Sequence, residues 1–284
     1  MSKATTEKLP KPLTAEEVVT ALSYHGAFLK KHVLATIRAT PAVHIVNEEC
    51  ASDFGGTTRT ADIIALDDNK IFYVIECKKV SREKSWIFLK GVDQHYRVVR
   101  RCNFLGASST FVMPSPSETP VCSEGYEYRR APTTKARDQP AKKADQSPVF
   151  DAGTQLACAF LGYVHDRIAA VSEITRSRDR NYIEHYVPVL VTNARLFFIN
   201  ADEVQLDLDT GEVTSAPNLL EVPHVILKQP AASPKNFPDF RTSISTDERN
   251  QQFQESIYVI NAKSLAAFFA ADHREFLATC AQNR

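Results

Sequence analysis

The chain has 284 residues, with 34 Lys+Arg against 34 Asp+Glu, 43% hydrophobic and 24% charged residues. It therefore has material for one large core without a disulfide or metal staple. Zero net charge excludes a protein that coats nucleic acid through bulk basicity, so an anionic partner must meet a local patch.

No apolar run approaches the roughly 20 residues of a bilayer span. The stretch from Val187 to Ile199 is broken by Thr192, Asn193 and Arg195. The polar opening, Met1 to Leu13, carries Lys3, Lys8 and Lys11 and has no apolar signal region, so a flexible N-terminus on a cytoplasmic chain with no membrane partner is expected. The six cysteines (50, 77, 102, 122, 158 and 280) have no CxxC or CxxH spacing, which argues against a zinc site and a disulfide framework and for reduced thiols.

In chain order, Thr14 and Glu17 form a capping box, and Val18, Leu22, Leu29, Val33, Leu34 and Ile37 recur at helical spacing. They predict a helix over 15–38, stopped by Pro41. Strands are expected at Val43–Val46, Ala61–Leu66 and Ile71–Cys77, with Asp67 to Lys70 as the turn between the last two. Gly91–Arg101 reads as a weak helix, and Trp86–Leu89 before it as a strand extension. Residues 106–153 turn to Ser, Thr, Pro and Lys, with six prolines, and read as a mobile polar insertion. Leu156, Ala159, Phe160, Tyr163, Val164, Ile168 and Val171 predict a helix over 154–172. Strands follow at Tyr186–Val191 and Leu196–Ile199, then a small hairpin around Asp209 to Glu212. A strand at His224–Leu227, a strand at Ile257–Ile260 and a helix at Ala262–Cys280 form a C-terminal extension, residues 201–284, of the same domain as the core over 14–200.

The chemistry concentrates in two of these strands. Glu76 and Lys78 are two apart on one strand and leave the same face. If Asp67 pairs with Ile71 across a three-residue loop, Asp62 lies directly opposite Glu76. Like charges so placed destabilise a hairpin, and the flanking Ile63, Ile64, Val74 and Ile75 make the pair a buried one. A divalent cation resolves the conflict: Asp62 and Glu76 supply hard oxygen ligands, the backbone carbonyl of Cys77 a third, and waters complete an octahedral shell suited to Mg²⁺. Lys78 would orient or deprotonate an attacking water, or neutralise charge building on phosphorus.

The segment Asp62, Glu76-Cys77-Lys78 resembles the PD-(D/E)xK nuclease superfamily, whose restriction-endonuclease-like core runs helix, three-stranded antiparallel meander, helix, strand. Ala61 stands where the name-giving proline would be. The resemblance implies an α/β fold with a mixed central sheet flanked by helices. It also implies an endonuclease that hydrolyses phosphodiester bonds with Mg²⁺, or with Mn²⁺ in its place. DNA is the favoured substrate, a role in restriction or antiviral defence follows by analogy, and paired cuts in a duplex would imply a homodimer. The competing expectation is an inactive nuclease-like domain that binds nucleic acid or a protein.

Many members of the superfamily use a further acid, and Glu48 or Glu49 is favoured because both end a strand beside the proposed metal, while Glu17 is explained by capping. Residues 76–101 hold eight Lys/Arg against three acids, whereas 201–284 hold seven against twelve. The basic excess beside Glu76 makes Lys79, Arg82, Lys84, Arg97, Arg100 and Arg101 candidates for backbone contact. Gln155 could hydrogen-bond a phosphate or a metal-bound water, with helix capping as the alternative. Cys77 points away from Glu76 into the core, and Trp86 reads as a core anchor. No GxSxG, Walker A, GxGxxG or HExxH pattern occurs.

Overall fold

The computed structural model describes residues 14–15, 26–54, 56–90, 96–103, 108–114, 119–129, 148–175, 183–207, 209–210, 212–215, 219–230 and 254–271. The expected flexible N-terminus, 1–13, lies outside them. Helix α1 spans Ala27–Arg38 and begins at Gly26, so the single helix expected over 15–38 is not continuous. Gly26 stands in a turn, consistent with the weak helical preference of glycine, and residues 16–25 of the expected helix lie outside the described residues.

Three strands follow as an antiparallel meander: β1 (Val43–Phe54), β2 (Thr57–Asp67) and β3 (Ile71–Lys78). The loop between β2 and β3 has the expected three-residue form. Asp67 Oδ1 accepts the backbone amides of Asn69 (2.8 Å) and Ile71 (2.9 Å), and Lys70 adopts the left-handed conformation (φ 63°) that closes such turns. Five consecutive residues of β3, Ile71 to Ile75, are buried, the pattern of a strand covered on both faces.

Next come β4 (Lys84–Lys90), β5 (Tyr96–Asn103), β6 (Ser108–Pro114) and β7 (Val121–Arg129). β4 bears out the strand alternative at Trp86–Leu89. The helix expected over Gly91–Arg101 is corrected: residues 96–101 lie in β5, and 91–95 lie outside the described residues. The segment expected as a polar insertion is corrected as well, because it carries β6 and β7. A register shift opposite Leu89 and Lys90 breaks the alternation of β7, so that Cys122 is buried and Gly125 lies close against Phe88 and Val149 while Glu124, Tyr126 and Tyr128 are exposed. Residues 104–107, 115–118 and 130–147 lie outside the description.

Helix α2 spans Pro148–Thr175, longer at both ends than the 154–172 expected. It leads to β8 (Ile183–Thr192) and β9 (Arg195–Ile199). The small hairpin is β10 (Gln205–Leu206) with β11 (Val213–Ser215). Then come β12 (Leu220–Val222), β13 (His224–Pro230) and β14 (Gln254–Asn261). A 3₁₀ turn at Ala262–Ser264 continues as helix to residue 271, and the remainder of the helix expected to Cys280 lies outside the description.

Apart from β10 and β11, these strands form one mixed sheet of twelve in the order β1-β2-β3-β8-β14-β13-β7-β4-β9-β12, with β5 pairing β8 and β6. β8 runs parallel to β3 and β14 runs parallel to β8. The C-terminal strands are thus not an appendage, since β14 lies in the middle of the sheet against β8. Buried residues of α1 (Leu29, Val33, Leu34, Ile37) pack with Ile63, Ile75, Val189 and Ile260. Buried residues of α2 (Leu156, Phe160, Val164) pack with Ile64, Val74, Trp86 and Leu190 in a second cluster. The result is an α/β protein with a large mixed sheet between helices. Among the described residues, no helix is long and apolar enough to cross a membrane.

Candidate active site

The register of β2 on β3 runs from Leu66↔Phe72 to Ile63↔Ile75, and its next step sets Asp62 opposite Glu76. Asp62 Oδ2 accepts the backbone amide of Cys77 at 2.8 Å, so the acid of one strand is anchored to the residue beside the acid of the other. The Glu76 carboxyl is raised to about 7 in all, with burial as the largest cause. The charge of Asp62 is the second cause, and Lys78 and Lys30 oppose the rise. Two carboxylates therefore compete for compensation, as the residue pattern alone implied.

On the other side of Asp62, β1 carries an irregularity between Ile45 and Asn47 that shifts its register by one residue. The flanking pairs Glu48↔Ile63 and Cys50↔Ala61 put Glu49 opposite Asp62. Without the shift, Glu48 would stand there. Glu48 is instead paired with Arg38 (3.2 Å). Glu49 is held in the left-handed region (φ 54°) and paired with Lys30 (3.0 Å). A row of three acids, Glu49, Asp62 and Glu76, thus crosses three neighbouring strands.

Lys30 is the residue that sequence reasoning missed. Its Nζ is 3.0 Å from Glu49 and 4.0 Å from Asp62, and its side chain is 14% exposed. A signal existed: Lys30 precedes Val33, Leu34 and Ile37 by three, four and seven residues, so it shares the face of α1 that turns to the sheet.

Lys78, in register opposite Thr192, makes no hydrogen bond or ion pair with the described residues and acts on Glu76 through its charge. The segment after it is clamped, since Asn193 Oδ1 accepts the Val80 amide (2.8 Å) and Asn193 Nδ2 donates to the Val80 carbonyl (2.9 Å). Cys77 packs against the apolar cluster beneath α1, as expected of a core residue, and burial pushes its thiol well above the usual range. β3, β8 and β14 run parallel and end together near Lys78, Thr192 and Asn261, where Asn261 Nδ2 donates to the Ala194 carbonyl (2.6 Å). Carboxyl ends of parallel strands are where open α/β sheets present ligand sites.

The remaining expected contacts divide. Lys79 is half-buried and Arg82 is exposed, both just beyond Lys78. The Lys84 ammonium is engaged by Glu127 across β4 and β7, which counts against a free phosphate contact. Arg97, Arg100 and Arg101 lie on β5, and their side chains are outside the described residues. Gln155 is exposed in the interior of α2, which begins at Pro148, so the capping alternative is corrected. Trp86 is fully buried, as expected. Among the described residues, Cys50, Cys77, Cys122 and Cys158 are free thiols.

No described group of three or more His, Cys, Asp or Glu side chains converges on a single metal position. The donor set is two facing carboxylates. That suits Mg²⁺ in its usual manner, held by one or two carboxylates with waters and substrate phosphates completing the shell, rather than a closed all-protein cage. No protein-family model matches the chain, and no curated protein or solved structure gives a significant match.

Proposed function

We propose that the protein is a Mg²⁺-dependent hydrolase of phosphodiester bonds, with DNA as the favoured substrate and a PD-(D/E)xK kind of site. The observation that carries this reading is the facing of Asp62 on β2 and Glu76 on β3, with Lys78 two residues further, at the carboxyl end of a strand parallel to β8. The order helix, three-stranded antiparallel meander, helix, parallel strand, with β4 to β7 inserted between the meander and α2, supports it.

Asp62 and Glu76 would hold the cation, with the Cys77 carbonyl as the further oxygen. When bound, the cation supplies Lewis-acid charge at the phosphate and lowers the pKa of a coordinated water. Lys78, whose charge already acts on Glu76, would orient the attacking water or offset charge on the phosphoryl oxygens. Lys79 and Arg82 follow on the same segment and would meet the flanking backbone.

The test is incubation of purified protein with supercoiled plasmid, linear duplex and single-stranded RNA, each with Mg²⁺, Mn²⁺ or EDTA, beside a Glu76→Ala/Lys78→Ala variant. Cleavage that needs metal and vanishes in the folded variant is the expected result. A second reading, an inactive domain that binds nucleic acid or a protein, is favoured by Lys30, which supplies counter-charge to Asp62 with no metal. Folded wild-type protein that cuts none of these substrates with either metal would favour it.

A further inference from the structure

Lys30 meets two of the three acids in the row. Its ammonium reaches Glu49 and Asp62 together, at 3.0 and 4.0 Å, from a side chain only 14% exposed. Removing an ammonium this far from water is unfavourable unless anions receive it. The row of acids does so, and the same ammonium opposes the upward shift of both Glu76 and Cys77.

Glu49 adds an independent observation. Its backbone lies at φ 54°, which costs a non-glycine residue about 1–2 kcal/mol. Its side chain is 77% exposed, so packing does not hold it there. The partner it meets in that conformation is Lys30.

We propose that Lys30 is the resident counter-ion of this site and Glu49 its anchoring partner, so that a divalent cation loads by exchange: Asp62 passes from Lys30 to the cation while Lys30 stays on Glu49. The inference rests on the hydrolase reading, which supplies the cation. Lys30 then balances Asp62 in the unloaded protein and raises the cation concentration at which the site fills. Glu49 acts through Lys30 and is not itself a ligand.

The experiment is Mn²⁺ titration followed by electron paramagnetic resonance of the free ion, on wild type, Lys30→Met, Glu49→Gln and the double variant, with circular dichroism to verify folding. Removing a fixed positive charge within a few ångströms of the ion should tighten binding about tenfold in Lys30→Met. Lys30→Gln, which keeps side-chain polarity, should show the same direction. Glu49→Gln should weaken binding several-fold alone, because Lys30 is left with Asp62, and should have little effect in the Lys30→Met background. Unchanged or weaker binding in both Lys30 variants, with wild type binding normally, overturns the exchange and leaves the hydrolase reading standing. Equal weakening by Glu49→Gln in both backgrounds makes Glu49 a ligand and overturns its assigned role. Absence of Mn²⁺ binding in every form overturns the exchange and the hydrolase reading together.

Discussion

The carboxylate of Asp62 accepts the backbone amide of Cys77 at 2.8 Å, crossing from β2 to β3 where Glu76 and Lys78 leave the sheet. The bond gives Asp62 a structural duty besides any chemical one. Asp62→Asn keeps an acceptor for this amide, whereas Asp62→Ala removes it. Asp62→Ala should lose about 1–2 kcal/mol of stability and Asp62→Asn clearly less, while both lose metal-dependent cleavage. Urea unfolding beside the plasmid assay separates the two effects. Equal stability of the two variants would sink the structural duty.

The raised carboxyl of Glu76 makes stability depend on pH. Below about 4.5 the group is protonated in both the folded and the unfolded chain, and its contribution is fully present. As pH rises toward 7 the unfolded chain releases this proton while the folded one keeps it, so stability falls, and above about 7 the loss is complete. Glu76→Gln cannot ionise. Relative to wild type it should gain about 2–3 kcal/mol between pH 4.5 and pH 8 in the absence of metal. Urea unfolding of both proteins across this range tests it, and a difference independent of pH would contradict the assignment.

Away from the site, Arg167 of α2 meets the fully buried Glu184 of β8 through two hydrogen bonds (3.2 and 2.7 Å), Tyr186 donates to the same carboxylate, and the guanidinium lies over the Phe72 ring. Arg167→Met deprives a buried carboxylate of this counter-charge and should destabilise by about 3–5 kcal/mol. Adding Glu184→Met should recover much of the loss, because the desolvated charge goes too. Thermal unfolding of the single and double variants reads the outcome, and additive losses would count against it.

The clamp of Asn193 on Val80 predicts a positioning effect. Asn193→Asp keeps the acceptor for the Val80 amide and loses the donor to its carbonyl. It should destabilise by about 1–3 kcal/mol. Under the hydrolase reading it should also lower kcat more than it raises KM, since Lys78 would be less well held. A KM effect alone would argue that the clamp serves folding and not Lys78.

The β2–β3 hairpin was legible in the amino-acid sequence because its register is a local matter. Asp67 to Lys70 specify the turn, the turn specifies the pairing, and the pairing brings Asp62 to Glu76. Helix α2 and the buried strands β3 and β8 were legible for the same reason, through long apolar patterns that a short window reveals. β5 was read as a helix, and β6 and β7 were missed because short strands in a Ser-, Thr- and Pro-rich stretch give little signal over a few residues. Only the tertiary structure decided the rest. A one-residue shift in β1 selects Glu49 over Glu48, α1 delivers Lys30 to Asp62, and β14 slots in beside β8. Each depends on segments far apart in the chain, whose meeting is determined by the packing of the whole sheet and not by local propensity.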